Sequence, residues 1–347
     1  MKTFLAAVLE QQQKPLAIRV LEIPETLQVG QALVTVKYSG ICGAQLGEIS
    51  GTKGPDKYMP HLLGHEGSVV IVAAGPGVRN LRPGDHAVLH WRKGAGIECE
   101  PPKYWCRDLG TEVGGGWATS FNEMAIVSEN RLTKIDKDVP MDIAALLGCA
   151  VTTGLGVVSN ELNLKMGQSV VVFGCGGVGL NVIQGCMLAS GYPIVGVDIQ
   201  EEKLQQALVL GATDVVDNRY KDAIGKIKSI IGDRGADIVI DTTGKSTVME
   251  AAWDITALTG KLCLIAQLQH DQKISLNTLA MHQGKTIVAS DGGRTYPTED
   301  IPRYIKLIES GRLNLESIIT HRVKLSQINE ILDNIRAGKV GRAIVEM

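Results

Sequence analysis

Surplus charge, long apolar runs and closely spaced cysteines are all scarce in this 347-residue chain. Lys and Arg number 35 against 37 Asp and Glu, a formal net charge of -2. So even a balance gives no basic field for nucleic acid and no cationic face for anionic lipid. The opening MKTFLAAVLEQQQK breaks its short apolar run at Glu10, too soon for a signal peptide. The most apolar stretch, Ser169 to Val197, is rich in glycine and interrupted by Asn181 and Gln184. It reads as strand, turn, helix and strand rather than as a membrane span. The seven cysteines are odd in number and scattered, which argues against a disulfide framework and for a reducing cytoplasm. No internal repeat or low-complexity tract is present.

What is there divides into three blocks, and the length suits two domains. From residue 1 to 150, β-branched runs (Gln31 to Tyr38, Gly67 to Ala73, His86 to His90, Glu123 to Val127) alternate with turns such as GPGV and RPGD. That pattern predicts an antiparallel β domain. From 151 to 288 strands alternate with helices: SVVVFG before a helix over Val178 to Ala189, PIVGVDI before EEKLQQALVLG, DIVIDTTG before a helix to about Leu258. Gly211 stands where a helix stop belongs. Residues 289 to 347 return to mixed character. The expected fold class is α/β plus β, a doubly wound parallel sheet inserted between two pieces of a β domain.

The middle block carries a cofactor signal. In VVVFGCGGVGL a buried strand runs into Gly174-x-Gly176-x-x-Gly179, with Gly177 and Val178 opening the helix. The first glycine permits the tight turn and the second lets backbone approach a pyrophosphate. The third lets the helix pack close, with its N-terminal N–H groups toward the phosphates. Nineteen residues past Gly179 the next strand ends in Asp198, suited to accept from the adenosine ribose hydroxyls and to repel a 2′-phosphate. NAD is the expected cofactor.

The sequence LLGHEGS sets His65 beside Glu66 between glycines. With Cys42 in SGICGAQ and Cys149 in LLGCAVTTG, His65 completes three borderline-to-soft donors, the number a catalytic zinc takes from protein. Separated by 23 and 84 residues, they form no local finger. Taken singly, each cysteine suits a small buried hydrophobe equally well.

Together with the dinucleotide fingerprint, the Cys42 loop, GHEG, GVRNLRPGDHAVLH, GCAVTTG and ITHRVKLSQINEILDNIRAGKVGRAIVEM resemble the zinc-containing medium-chain dehydrogenases of alcohols and polyols, over nearly the whole chain. The resemblance implies a GroES-like catalytic domain built from both chain ends, a Rossmann domain between them and an active site in the interdomain cleft. It implies one catalytic zinc on Cys42, His65 and Cys149, with Glu66 behind the metal and able to enter its coordination. Such a zinc is a Lewis acid that favours the alkoxide of an alcohol as hydride leaves for nicotinamide. Other cofactor contacts implied are Thr153, Lys203, Thr243, the backbone at Ile265 and Ala266, and Arg342 at the pyrophosphate. Relatives also imply a homodimer or homotetramer.

Two departures from the family pattern stand out. Positions that relay the alcohol proton in relatives read Ala44 and Gly47 here, and Gln45 replaces the usual acidic residue behind the metal. Glu48 and ordered water are left as the route for proton release. Where relatives bind a structural zinc through four close cysteines, only Cys99 and Cys106 occur, with six residues between them; no structural zinc is expected. Trp91 falls where relatives place an aromatic wall of the substrate pocket, and Arg92 and Lys93 beside it suggest a polar or anionic substrate. The leading expectation is an NAD-dependent dehydrogenase of a secondary alcohol in a polyol, sugar or sugar derivative. A dehydrogenase of primary alcohols or hydroxymethyl thiols is the alternative. A silent NAD-binding protein is favoured only by the missing relay.

Overall fold

The computed structural model describes residues 2–347, which form two compact units, residues 2–149 with 296–347 and residues 150–295. The second boundary falls later than the change in sequence texture at about 289. The reason is local: Gly293 packs against backbone of Thr153 and Gly156 so closely that a Cβ would lie 2.6 Å from the Thr153 carbonyl oxygen. The Thr295 hydroxyl donates to the Thr152 carbonyl at 2.8 Å. Those contacts tie 292–295 to the second unit.

In the first unit, a closed barrel runs through Thr3–Leu9, Ala17–Glu22, Lys103–Cys106, Thr111–Gly114 and His61–Leu62. Phe4, Leu21, Tyr104 and Val113 fill it. The companion sheet is ordered Leu132–Ile135, His86–His90, Glu66–Ala74, Gln31–Gly40, Arg342–Glu346, Ile319–Lys324, with Met124–Ser128 also on Gln31–Gly40. The four strands expected from β-branched runs are all present. Pairing is mostly antiparallel, but Ile319–Lys324 runs parallel to Arg342–Glu346. Because Arg342–Glu346 adds to Gln31–Gly40, both chain ends build one sheet. This is the expected β-rich domain assembled from the two flanking blocks.

The second unit is a six-stranded parallel sheet ordered Asp214–Asp217, Ile194–Asp198, Val170–Phe173, Ala236–Asp241, Thr256–Leu264, Thr286–Ala289. Val170–Phe173 is buried at every position, since helices cover both faces of a doubly wound sheet and leave no polar side. The helices Gly177–Leu188 and Glu201–Val209 follow their strands as expected, and Gly211 takes φ 111° past the second. The helix expected to reach Leu258 stops at Ile255 instead. Thr256 already pairs with Ala236 as the start of the next strand, and sheet pairing overrides local helix preference there. Among the described residues, no helix is long and apolar enough to cross a membrane.

Candidate metal centre and dinucleotide site

Cys42, His65 and Cys149 all lie in the first unit, and one donor atom from each comes within 4.8 Å of the others. Three local devices bring them there. Cys42 lies two residues past the strand Gln31–Gly40 and N-caps the helix Gly43–Ser50. His65 sits in the turn before Glu66–Ala74, where Gly64 adopts φ 87° and a Cβ would strike Ser120 Oγ at 2.4 Å; only glycine fits that backbone. Cys149 follows Gly148, whose Cα packs so tightly that a Cβ would meet the Leu89 carbonyl at 2.4 Å and Glu66 Cα at 2.7 Å. Gly64 and Gly148 are there for close approach, whereas Gly43 after Cys42 has open space where a Cβ would stand.

The donors suit a tetrahedral zinc. His65 Nε2 lies 3.2 Å from Cys149 Sγ, near the roughly 3.5 Å edge that bonds of about 2.0 and 2.3 Å produce. The Cys42 thiol is pushed well below its ordinary value, first by the hydrogen bond with Cys149 and then by His65. Cys149 is pushed well above by the same contact and by burial. Burial opposes a charged His65, yet the hydrogen bond and charge of Cys42 raise the ring above its ordinary value. Two sulfurs and a ring nitrogen competing for protons in a closed space are what a divalent cation relieves, since it replaces those protons.

Gln45 is fully buried. Its Oε1 accepts the Cys42 N–H at 2.8 Å, and its Nε2 donates to His65 Nδ1. Glu66 is also fully buried but is outside the converging set; its Oε1 accepts from Arg342. Arg342 was expected at a cofactor pyrophosphate. In its own unit the guanidinium is instead buried and bonds to Glu66 and, at 2.6 Å, to the Ile41 carbonyl.

His90 pairs with Glu66 across neighbouring strands, and Trp91 directly follows that pair. Its half-buried indole carries the Arg92 guanidinium 5.6 Å from the ring centroid. Lys93 and Arg131 both pair with Glu98, and Arg131 donates to the Trp91 carbonyl. Cys106 is buried in the barrel core, whereas Cys99 Sγ lies 3.0 Å from Ser128 Oγ. That lobe is pinned instead by Glu129, whose carboxylate accepts from the backbone of Arg79, Asn80 and Ile97.

In the second unit the fingerprint glycines take their foreseen places. Gly174 adopts φ 92°, Gly176 caps the helix that Gly177 and Val178 begin, and a Cβ on Gly179 would lie 1.8 Å from the Gly174 carbonyl oxygen. Asp198 also organises backbone. Its carboxylate accepts from the backbone of Cys175 at 2.8 Å, inside the glycine turn, and from Ile199 and Gln200. A cavity of about 70 Å³ opens here, bounded by Gly174, Asp198 and Thr243 together with Asn218, Lys245 and Val248. The last three were not foreseen, although Asn218, like Thr243, lies just past the C-terminal end of a sheet strand, where ligands of such sheets bind. The Thr243 hydroxyl donates to Asp241 at 2.7 Å. Lys203 lies on the helix after Asp198, outside this cavity lining. Ile265 donates its N–H to the Asp241 carbonyl, with Ala266 next to it, and Thr153 is buried in the helix Ala150–Gly156.

Residues 28–137 match the model of the alcohol dehydrogenase GroES-like domain, and residues 177–310 that of the zinc-binding dehydrogenase. The S-(hydroxymethyl)glutathione dehydrogenase of Escherichia coli O6:H1 is 30% identical over 98% of each chain. Among solved structures, benzyl alcohol dehydrogenase from Acinetobacter calcoaceticus superposes with a TM-score of 0.89 at 26% identity, covering 100% of both chains. An alcohol dehydrogenase zinc-binding domain protein from Burkholderia ambifaria gives 0.90 at 25% identity, covering 100% of this chain and 99% of its own. A GroES-like β domain that carries a Cys–His–Cys cluster, together with a Rossmann sheet, defines the class. The chain belongs to the zinc-containing medium-chain dehydrogenase family and is an oxidoreductase of the alcohol dehydrogenase type.

Proposed function

We propose that this chain transfers hydride between NAD and the secondary alcohol or ketone of a polyol, sugar or sugar derivative, using one zinc held by Cys42, His65 and Cys149. The convergence of those three donors carries the reading. Zinc bound there acts as a Lewis acid on the alcohol oxygen. Gln45 holds His65 and the Cys42 backbone in register. Glu66, neutralised by Arg342, waits behind the cluster as an alternate ligand. Glu48, one turn after Ala44 on the helix Gly43–Ser50, receives the released proton in place of the absent hydroxyl and imidazole.

On the second unit, Gly174, Gly176, Gly177, Val178 and Gly179 hold the pyrophosphate against the helix N-terminus, and Asp198 selects NAD over NADP. Lys203, Thr243, Ile265, Ala266 and Thr153 line the rest of the dinucleotide's path. Trp91 and Arg92 bind substrate, supported by the guanidinium stacked on the indole. The names of the relatives favour a second reading, in which the substrate is a primary alcohol or a hydroxymethyl thiol.

No structural zinc belongs to this chain on our reading, because Cys106 is committed to an apolar core and Cys99 to Ser128. None of the seven cysteines is in a disulfide, consistent with a reducing cytoplasm. The strand Thr286–Ala289 leaves one sheet edge open near exposed Leu258 and Leu279, which supports a homodimer or homotetramer. Metal analysis with NAD reduction over polyols, sugar phosphates, simple alcohols and hydroxymethyl thiols tests the whole reading. About one zinc per chain and turnover of a polyol-type substrate are expected. Protein that takes up no zinc, or zinc retained undiminished in Cys149→Ser, overturns it.

A further inference from the structure

The amide of Gln45 is divided between two of the three converging residues, and its orientation is fixed by chemistry. A backbone N–H can only donate, so the oxygen must face Cys42, and the amide NH₂ is left to face His65 Nδ1. The ring then holds its proton on Nε2, toward Cys149 Sγ at 3.2 Å. These bonds are mutually consistent only while Nε2 is not a ligand.

A ring nitrogen that gives its lone pair to a metal leaves the ring proton on the other nitrogen. His65 would then present Nδ1–H to Gln45. The amide would face two N–H donors, Cys42 and His65 Nδ1, with a single oxygen. Turning the amide over satisfies His65 and sets its NH₂ against the Cys42 N–H; leaving it in place sets the NH₂ against Nδ1–H. Gln45 itself is fully buried, so water is kept from the amide. A carboxylate at the same position would accept from both.

We propose that Gln45 is a positioning residue that leaves the metal-loaded site one hydrogen-bond acceptor short, so that this chain releases its metal more readily than the same site with a carboxylate at position 45. The inference rests on the reading of Cys42, His65 and Cys149 as ligands, and its tests separate the two. Metal-free native protein, Gln45→Glu and Gln45→Met are titrated with zinc against a chromophoric chelator. Outer-sphere partners alter metal affinity by about 10–100-fold. Gln45→Glu should therefore bind zinc at least about tenfold more tightly than native, and Gln45→Met, which satisfies neither donor, more weakly.

Native affinity in either variant overturns the proposal. Gln45→Asp, with the same charge on a shorter stem, stands in where Gln45→Glu does not fold. In the native protein, ¹⁵N spectra should move the His65 ring proton from Nε2 to Nδ1 on zinc loading and shift the Gln45 side-chain amide signals with it. Unchanged amide signals on loading overturn the idea as well. Undiminished zinc binding by Cys149→Ser overturns the ligand reading itself.

Discussion

Glu66 and Arg342, 276 residues apart in the chain, form an ion pair with side-chain exposures of 0% and 4% directly behind the metal candidates. Gly40 makes room for it, since a Cβ there would lie 2.7 Å from Glu66 Cδ and 2.8 Å from an Arg342 Nη. Charges so deeply buried persist only when paired. Arg342→Ala should therefore destabilise the first unit by about 3–5 kcal/mol, whereas the double change Glu66→Gln with Arg342→Met should restore much of the loss. Urea denaturation of the metal-free forms reads both. Equal stability of Arg342→Ala and native protein would remove the pair from the account of this fold.

Gly179→Ala tests the dinucleotide turn. The added methyl would have to sit 1.8 Å from the Gly174 carbonyl oxygen. Relieving that clash requires the helix Gly177–Leu188 to leave its strand, at about 3 kcal/mol or more. Loss of NAD binding with zinc content unchanged is the expected outcome, measured by cofactor fluorescence titration beside metal analysis. Native NAD affinity in this variant would refute the turn as the cofactor site.

Asp198→Asn addresses cofactor choice. The amide keeps an oxygen for the backbone of Cys175, Ile199 or Gln200 but removes the charge that repels a 2′-phosphate. A charged hydrogen bond contributes about 1.5–3 kcal/mol, so kcat/KM with NAD should fall by about tenfold to a hundredfold. Activity with NADP should hold or rise. A parallel fall with both cofactors would mean that Asp198 serves only the turn.

A pH effect on stability arises at His90. Its Nδ1–H donates to the Arg92 carbonyl at 2.7 Å, and its Nε2 accepts from the Thr133 hydroxyl at 2.9 Å. Burial, with the nearby Arg131 charge, pushes the ring from 6.5 down to about 4. Between those values the unfolded chain takes up a proton that the folded chain refuses. The stability linked to neutral His90 is thus complete above pH 6.5 and is lost as pH falls toward 4, by about 3 kcal/mol. The difference in urea midpoint between native protein and His90→Gln should narrow or invert over that range. A difference that is constant with pH would count against a neutral buried ring.

Much of this arrangement was readable along the chain because its signals are local. Gly174, Gly176 and Gly179 lie within six residues, and each answers to a local requirement of the strand–turn–helix. Asp198 closes the next strand, and the buried valines before each announce a sheet covered on both faces. The boundary near 295 was not readable, since it depends on Gly293 pressing against Thr153 and Gly156. The end of the helix at Ile255 was not either, because Thr256 is claimed by Ala236 on another strand.

The sequence by itself determined which chemistries are present: two thiols and an imidazole able to take zinc, a glycine turn able to take a pyrophosphate, and an amide where a carboxylate is usual. Only the tertiary structure decided that Cys42, His65 and Cys149 meet, that Arg342 is bound to Glu66, and that Gln45 is shared between Cys42 and His65. Donor identity is a property of single residues. Convergence depends on strands and glycine contacts between segments far apart in the chain, which no local pattern encodes.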